Sequence, residues 1–168
     1  ENAKYIFNNC KHIGDEVEFK KDGIIQKRAQ EVLGKADALL AEVEKEGNDI
    51  KLHIGQARTY ITVPAEQGKR LEEGGYIGKT VVMGIRPEDV HDEESFIEMS
   101  PDSAFKTTIR IYELLGAEVY LYFDLEGFDC TARVNARTTA RPGDEVVMAM
   151  DLTKLHIFDK DTEMAIVH

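Results

Sequence analysis

The sequence contains no tryptophan, two cysteines and only four prolines in 168 residues. Cys10 and Cys130 lack the spacing of a metal site, so we predict small core residues in a reducing cytosol. No apolar run approaches the ~20 residues that a membrane-spanning helix needs. The N-terminal residues Glu1 to Lys4 show no signal-peptide pattern, and we expect the chain to be a segment of a longer one.

Positive charge is also scarce, with 21 lysines and arginines against 32 aspartates and glutamates and a net charge of −11. This balance argues against nucleic acid, because binding to phosphates relies on lysine and arginine. It argues equally against an anionic membrane surface and against an oxyanion held by simple charge. The acidic residues are spread along the chain, which is typical of a solvated protein surface.

Catalytic motifs are missing from the sequence. There is no helical His-Glu-x-x-His and no paired Cys-x-x-Cys, and the serines lack the glycines of a nucleophile elbow. Gly78-Lys79-Thr80 resembles the end of a P-loop, but Glu73 stands where that motif needs its first glycine. A helix is predicted before this segment and a strand after it, the reverse of the P-loop order. We therefore predict a non-catalytic chain with no catalytic, metal or cofactor residues.

The first half of the chain shows two different periodicities. Residues 4–20 alternate around Gly14-Asp15 and predict a β-hairpin. Residues 24–46 place apolar side chains at three-to-four spacing and predict an amphipathic helix, which Gly47-Asn48 would end. Strands are then expected at 50–54 and 59–63, and a short helix at 65–73.

The second half predicts several short strands joined by tight turns. The expected strands are 104–115, 118–125, 128–135, 145–150 and 154–158, a spacing that favours a small barrel or sandwich. In the second of these, Val119, Leu121 and Phe123 alternate with Tyr120 and Tyr122, so one face is aliphatic and the other rich in tyrosine. We predict that Tyr112, Tyr120 and Tyr122 form a self-association face, since tyrosine is favoured at protein interfaces.

The central stretch, residues 81–90, begins with five uniformly apolar residues that predict a buried strand, and Pro87 ends this strand in a charged corner. Gly84-Ile-Arg-Pro-Glu-Asp resembles the signature of the C-terminal regulatory domain of ABC-type sugar-importer ATPases of the maltose and multiple-sugar type. Further segments match that family in order: Ile61 to Pro64, Tyr76 to Thr80, Glu113 to Glu118, Pro142 to Asp144 and His156 to Thr162. The resemblance covers residues 50–168 well and residues 4–20 loosely.

The resemblance implies a mainly β fold with a few helices, a β-barrel of the oligonucleotide-fold or MOP-like kind called a TOBE domain. The whole of residues 1–168 would be one regulatory β-domain, with residues 23–49 an inserted amphipathic helix and residues 100–168 the barrel half. The family signature falls on Gly84, Arg86, Pro87, Glu88, Gly116, His156, Phe158 and Asp159, which we expect to act structurally or in an interaction.

The implied function is regulation and dimerisation within the ATP-binding subunit of a sugar importer. ATP and Mg²⁺ would bind an N-terminal ATPase domain outside this chain. The expected partners are that domain, a second copy, membrane permease subunits indirectly and a regulatory protein, with a cytoplasmic location at the inner face of the membrane. The alternative is an oxyanion-binding module, since related barrels in oxyanion importers bind molybdate or tungstate. A platform for single-stranded nucleic acid is opposed by the charge.

Overall fold

In the computed structural model, the described residues are 37–55, 59–162 and 164–167, and they form two β-sheets around a shared core. The strands of the first half are β1 (Asp37–Glu46), β2 (Asp49–Ile54), β3 (Thr59–Thr62) and β4 (Thr80–Ile85), with the helix α1 (Ala65–Glu73) between β3 and β4. The second half contains β5 (Val90–His91), α2 (Glu94–Met99), β6 (Ala104–Leu115), β7 (Glu118–Leu125), β8 (Phe128–Asn135), β9 (Glu145–Met150), β10 (His156–Asp159) and β11 (Ala165–Val167).

The first sheet has six strands in the order β11-β10-β4-β1-β2-β3. The apolar strand β4 lies between β1 and β10, and both of its neighbours run antiparallel to it. All residues from Val81 to Ile85 are buried, as predicted for a strand covered on both faces. Sequence alone therefore located the most buried of the strands that the structure describes.

The second sheet has five strands in the order β5-β9-β6-β7-β8 and curls until β5 lies beside β8, so that it forms a nearly closed barrel. In β7 the apolar residues Val119, Leu121 and Phe123 point into the core while Tyr120 and Tyr122 stay partly exposed. The predicted mainly β fold and the predicted alternation in β7 are confirmed.

The helix predicted over 24–46 is wrong for residues 37–46, which form strand β1. Leu39, Ala41 and Val43 are fully buried, and β1 pairs with β2 on one side and β4 on the other. Two neighbouring strands supply more burial and hydrogen bonding than the helical stripe alone would, so tertiary pairing overrides local propensity. Residues 24–36, like the hairpin predicted at 4–20, lie outside the described residues, and the proposed insertion 23–49 is not one continuous helix.

Gly47 has a role different from the predicted helix stop. With φ 64° it forms the two-residue turn between β1 and β2, where Glu46 pairs with Asp49. Turns of this kind need a residue that tolerates the left-handed region. The same glycine preference therefore supports a hairpin here rather than a helix end.

A cross-linking experiment tests the β1 assignment. Glu44 lies opposite Lys51 in the β1–β2 pair, so the double variant Glu44→Cys with Lys51→Cys should form an internal disulfide under mild oxidation. Peptide mass spectrometry measures its yield. The control variant carries Glu44→Cys and Asp49→Cys, which do not face each other because Asp49 lies opposite Glu46. An equal disulfide yield in the control would contradict the strand pairing.

Candidate functional site: a signature corner and an aspartate clasp

The segment Arg86–Asp89, here called the signature corner, follows β4 as one turn of 3-10 helix over Pro87–Asp89. Pro87 is buried at the first position of this turn, where its fixed φ and missing N–H fit. The Asp89 amide donates to the Arg86 carbonyl at 2.9 Å, and the Asp151 amide donates to the Asp89 carbonyl at 2.8 Å. The corner is thus tied by its backbone to the loop after β9.

The side chains of the signature corner are more accessible than its backbone. Arg86 is exposed, while Glu88 and Asp89 are partly buried. Burial raises the pKa of the Asp89 carboxyl, and the negative charges of Glu88 and Asp151 raise it further, while Arg86 opposes them. The positive charge of Arg86 therefore partly offsets the repulsion between the carboxylates around Asp89.

Arg133 on β8 connects the signature corner to the tyrosines of β7. Burial lowers its pKa, but a hydrogen bond with Tyr120 and the charges of Glu118 and Glu88 outweigh that effect, so the pKa is raised. Its Nε lies 3.6 Å from a Glu118 carboxylate oxygen. The corner and the outer face of β7 and β8 consequently form one continuous polar surface.

The second feature is an aspartate clasp, formed by Tyr76, Asp159, Asp161 and Thr162. One Asp159 carboxylate oxygen accepts from the Asp161 and Thr162 amides, at 2.7 Å each. Its carboxyl also accepts a hydrogen bond from the Tyr76 hydroxyl. The clasp holds the turn after β10 against the segment that leads into β4.

Both ends of the clasp have shifted pKa values. Burial raises the pKa of Asp159, but the hydrogen bonds from Thr162, Tyr76 and Asp161 outweigh it, so the value falls below the usual 3.8. The hydrogen bond to Asp159, together with burial, raises the pKa of Tyr76 to about 12. A Cβ added at Gly74 would lie 2.6 Å from the Tyr76 ring, so the absence of a side chain there makes room for the clasp.

A cleft of about 290 Å³ lies beside the clasp, lined by Tyr76, Lys79, Thr80, Asp159, Lys160 and Asp161. Its lysines and aspartates nearly balance in charge, which gives no preference for an anion or a cation. Among the described residues there is no cluster of histidine, cysteine and carboxylate side chains able to hold a metal ion.

The segment Gly78-Lys79-Thr80 follows α1 and leads into β4, the order expected from the sequence. Its backbone amides have partners within the chain: Gly78 donates to the Val43 carbonyl at 2.7 Å and Lys79 to the Tyr76 carbonyl at 2.9 Å. A phosphate cradle needs such amides to point at the ligand. This segment is therefore a turn that joins β1 to α1 and β4.

The remaining signature residues are structural in their placement. Gly84 lies in β4 between Ala38 and His156 in the strand register, and Phe158 is buried opposite Val82. His156 is partly buried on β10. Gly116, with φ 67°, lies in the turn between β6 and β7. Gly84 and His156 are brought together, whereas Gly116 is separate from them.

The three predicted tyrosines do not share one face. Tyr120 and Tyr122 lie on the outer face of β7 with ring centroids 6.5 Å apart. Tyr112 pairs opposite the buried Leu121 and packs against the core, with the Arg141 guanidinium 4.6 Å from its ring centre. The predicted face of three tyrosines is corrected to Tyr120 and Tyr122, because Tyr112 points to the other side of β6.

Sequence reasoning missed two contacts between distant residues. Tyr76 was noted only as part of a family segment, and its bond to Asp159 joins two such segments. The Thr59 hydroxyl donates to a Glu126 carboxylate oxygen at 2.6 Å, and Glu126 adopts φ 54° in the β7–β8 turn. The unusual Glu-Gly turn sequence was the available signal, since asparagine or glycine is preferred where φ is positive.

Comparison with protein-family models gives two matches that meet near β4. Residues 83–158 match the TOBE domain. Residues 1–79 match the D-lysine 5,6-aminomutase TIM-barrel domain of alpha subunit. A TIM barrel consists of parallel strands that alternate with helices, whereas the described residues 37–54 and 59–79 form antiparallel strands and one short helix. The TOBE match agrees with the fold, whereas the aminomutase match is a likeness of sequence alone.

Two curated relatives are named as ATP-binding proteins of sugar import or transport. The chain is 44% identical over 115 residues to the oligosaccharides import ATP-binding protein MsmX of Bacillus subtilis (strain 168), which covers 68% of this chain and 31% of that protein. It is 39% identical over 106 residues to the multiple sugar-binding transport ATP-binding protein MsmK of Streptococcus mutans, covering 63% and 28%. The chain therefore spans about a third of the length of these relatives.

A solved structure with a similar fold is the cytoplasmic molybdate-binding protein ModG with molybdate bound. The TM-score is 0.52 at 15% identity, with 72% of this chain and 94% of that chain covered. At this identity the likeness concerns the fold alone. The described part of the present chain has no helix of the length and hydropathy that crossing a membrane requires.

Removing the Tyr76 hydroxyl tests the clasp. Tyr76→Phe should lower the melting temperature by about 2–4 °C at pH 7, since a partly exposed charged hydrogen bond contributes about 1 kcal/mol. Thermal melts monitored by circular dichroism measure the change.

The pH dependence of this difference supplies the control. The folded pKa of Tyr76 lies above its ordinary 10.0 and that of Asp159 below 3.8, so the bond stabilises fully between about pH 4 and pH 10. The stabilisation is lost as the pH rises through about 12 or falls through the folded pKa of Asp159. A melting difference that stays constant outside this window would contradict the clasp.

Proposed function

We propose, from the premise that residues 83–158 belong to the TOBE-domain family, that this chain is a non-catalytic regulatory module of the ATP-binding subunit of an ABC-type sugar importer. The observation that carries the proposal is that both ends of the TOBE match lie in paired strands, β4 and β10. The TOBE match begins within β4 and ends within β10, so it includes the barrel, the signature corner and the strand that covers β4. The relatives at 39–44% identity are named as sugar or oligosaccharide transport ATP-binding proteins.

The geometry supports a role in protein contact. On the outer face of β8, Arg133 is hydrogen-bonded to Tyr120 and lies close enough to Glu88 of the signature corner for their charges to interact. Mixed charges with tyrosine suit a protein interface better than a nucleic-acid groove, which needs a positive field. We therefore infer that this surface receives a neighbouring domain or a regulatory protein at the inner face of the membrane, and that a second copy contacts the half made of residues 100–168.

The alternative function is oxyanion binding. The fold likeness to molybdate-binding ModG is the observation that favours it, although a shared fold alone does not determine function. The net charge of −11 opposes an anion. The cleft beside the clasp is lined by two lysines and two aspartates, so its charges add no net attraction for an anion. Regulation by protein contact remains the better supported proposal.

A chimaeric transporter tests the proposed function directly. Replacing the matched region of Bacillus subtilis MsmX with the 115 matched residues of this chain should retain oligosaccharide uptake and ATP hydrolysis, since the identity is 44%. Uptake of labelled oligosaccharide in cells lacking their own MsmX measures the result.

The control chimaera carries Pro87→Ala and Glu88→Lys, which alter the signature corner and leave the ATPase domain unchanged. We expect hydrolysis in detergent to persist while uptake falls. A first chimaera that is stable and hydrolyses ATP but gives no uptake would contradict the proposal.

Direct titration distinguishes the non-catalytic module from the alternatives. Calorimetry of the chain with Mg-ATP, and separately with molybdate, should give no saturable heat, because the Gly78 and Lys79 amides are already bonded within the chain. Saturable Mg-ATP binding that Lys79→Ala abolishes would overturn the non-catalytic assignment. Saturable molybdate binding would favour the oxyanion module instead.

A further inference from the structure

Strand β6 changes partner along its length. Residues 104–108 pair with β9, whereas residues 109–115 pair with β7 on the opposite edge. The β9 side ends at Ile109, whose amide donates to the Asp144 carbonyl at 3.0 Å and whose carbonyl accepts from the Gly143 amide at 2.8 Å. A register shift between Ile109 and Ile111 marks the change.

Beyond this shift, one edge of β6 has no strand beside it in the part of the chain that the structure describes. We call residues 111–115 on that side the β6 edge. A strand edge presents a row of amide and carbonyl groups that can pair with another strand. The β6–β7 hairpin extends past the end of β9, so the edge projects from the barrel rather than lying against it.

Large apolar side chains flank the β6 edge on both faces. Ile111 is 56% exposed, Leu114 58% and Leu115 49%. Leu114 lies opposite the buried Val119, whereas Ile111 lies opposite Tyr122 on the outer face. Apolar side chains on both faces are typical of a strand that is covered when the protein is in its working state.

The β6 edge also lacks the usual protection against pairing. Exposed edges are commonly blocked by lysine, proline or inward-pointing charges. Residues 111–117 carry a single charge, Glu113, in a chain of which 32% is charged. Glu113 is the one charge that each copy would bring to this edge, so direct charge repulsion across the edge is small.

We propose that the β6 edge pairs antiparallel with the same edge of a second copy, across a two-fold axis near Leu114. The proposal rests on the self-association included in the proposed function and gives it a location and a register. An isologous contact of this kind uses the same residues on both copies.

Two observations select the register. An axis at Glu113 would place two carboxylates directly opposite each other, which is destabilising. An axis nearer the barrel would run into the loop whose Arg141 covers Tyr112 and whose Gly143 bonds Ile109. An axis at Leu114 instead places Leu114 opposite its own copy and Glu113 opposite Leu115 of the second copy.

The contact is small, because it consists of one strand edge and a few side chains. Interfaces that bury less than ~1,200 Å² are commonly weak and transient. The dimer should therefore form in a concentration-dependent way.

Cysteine cross-linking tests the register in the full chain with Cys10 replaced by serine, while the buried Cys130 is kept. Facing residues in an antiparallel pair have Cα atoms about 4.5–5.5 Å apart, within disulfide range. Leu114→Cys should give a covalent dimer at least about tenfold faster than the control Met99→Cys, which is 78% exposed on α2. Ile111→Cys, three residues from the axis, should cross-link at the control rate.

Sedimentation equilibrium of the unmodified chain gives the second measurement. Leu114→Asp should raise the dimer dissociation constant at least about tenfold, while Met99→Asp should leave it unchanged. If the dimer persists in Leu114→Asp and Leu114→Cys cross-links at the control rate, the β6 edge is not the contact, but self-association still holds. If the chain is a monomer at all concentrations, both the β6 contact and self-association are contradicted. The uptake measured with the chimaera tests the transport role independently of either result.

Discussion

The burial of β4 between β1 and β10 is the contact on which the rest of the structure depends. All five residues from Val81 to Ile85 are buried, and the strand is hydrogen-bonded along both edges. Burying this much apolar side chain contributes several kcal/mol, so any rearrangement that exposes it is costly. Pro87 then ends the strand and turns the chain into β5, which starts the barrel. The signature corner is consequently fixed by the core beneath it.

Alternation and turn chemistry made most of the β-structure predictable. The pattern of Val119, Leu121 and Phe123 against Tyr120 and Tyr122 defined both faces of β7, and glycine and proline located the turns. The clasp was not predictable, because Tyr76 and Asp159 come together only when β10 pairs with β4. The faces of β6 were also mistaken, since the register shift after Ile109 and the position of Arg141 decide where Tyr112 points.

The error over residues 37–46 has an informative source. The apolar residues between 24 and 46 recur at three-to-four spacing, which is the spacing of an amphipathic helix. The same residues also satisfy a strand, because Leu39, Ala41 and Val43 alternate. Short apolar patterns are ambiguous between the two periods, and the neighbouring strands β2 and β4 decide the outcome here.

The order of strands around β4 also determines how the chain can fold as it is synthesised. β4 leaves the ribosome with β1 already available, but its other neighbour, β10, begins only at His156. One edge of the most apolar strand must therefore wait, unpaired, until the whole barrel has been translated. Such long-range pairing slows folding and leaves an unpaired, aggregation-prone strand edge exposed during translation. The second edge of β4 is therefore closed only after residues 156–159 have been translated and have paired with it.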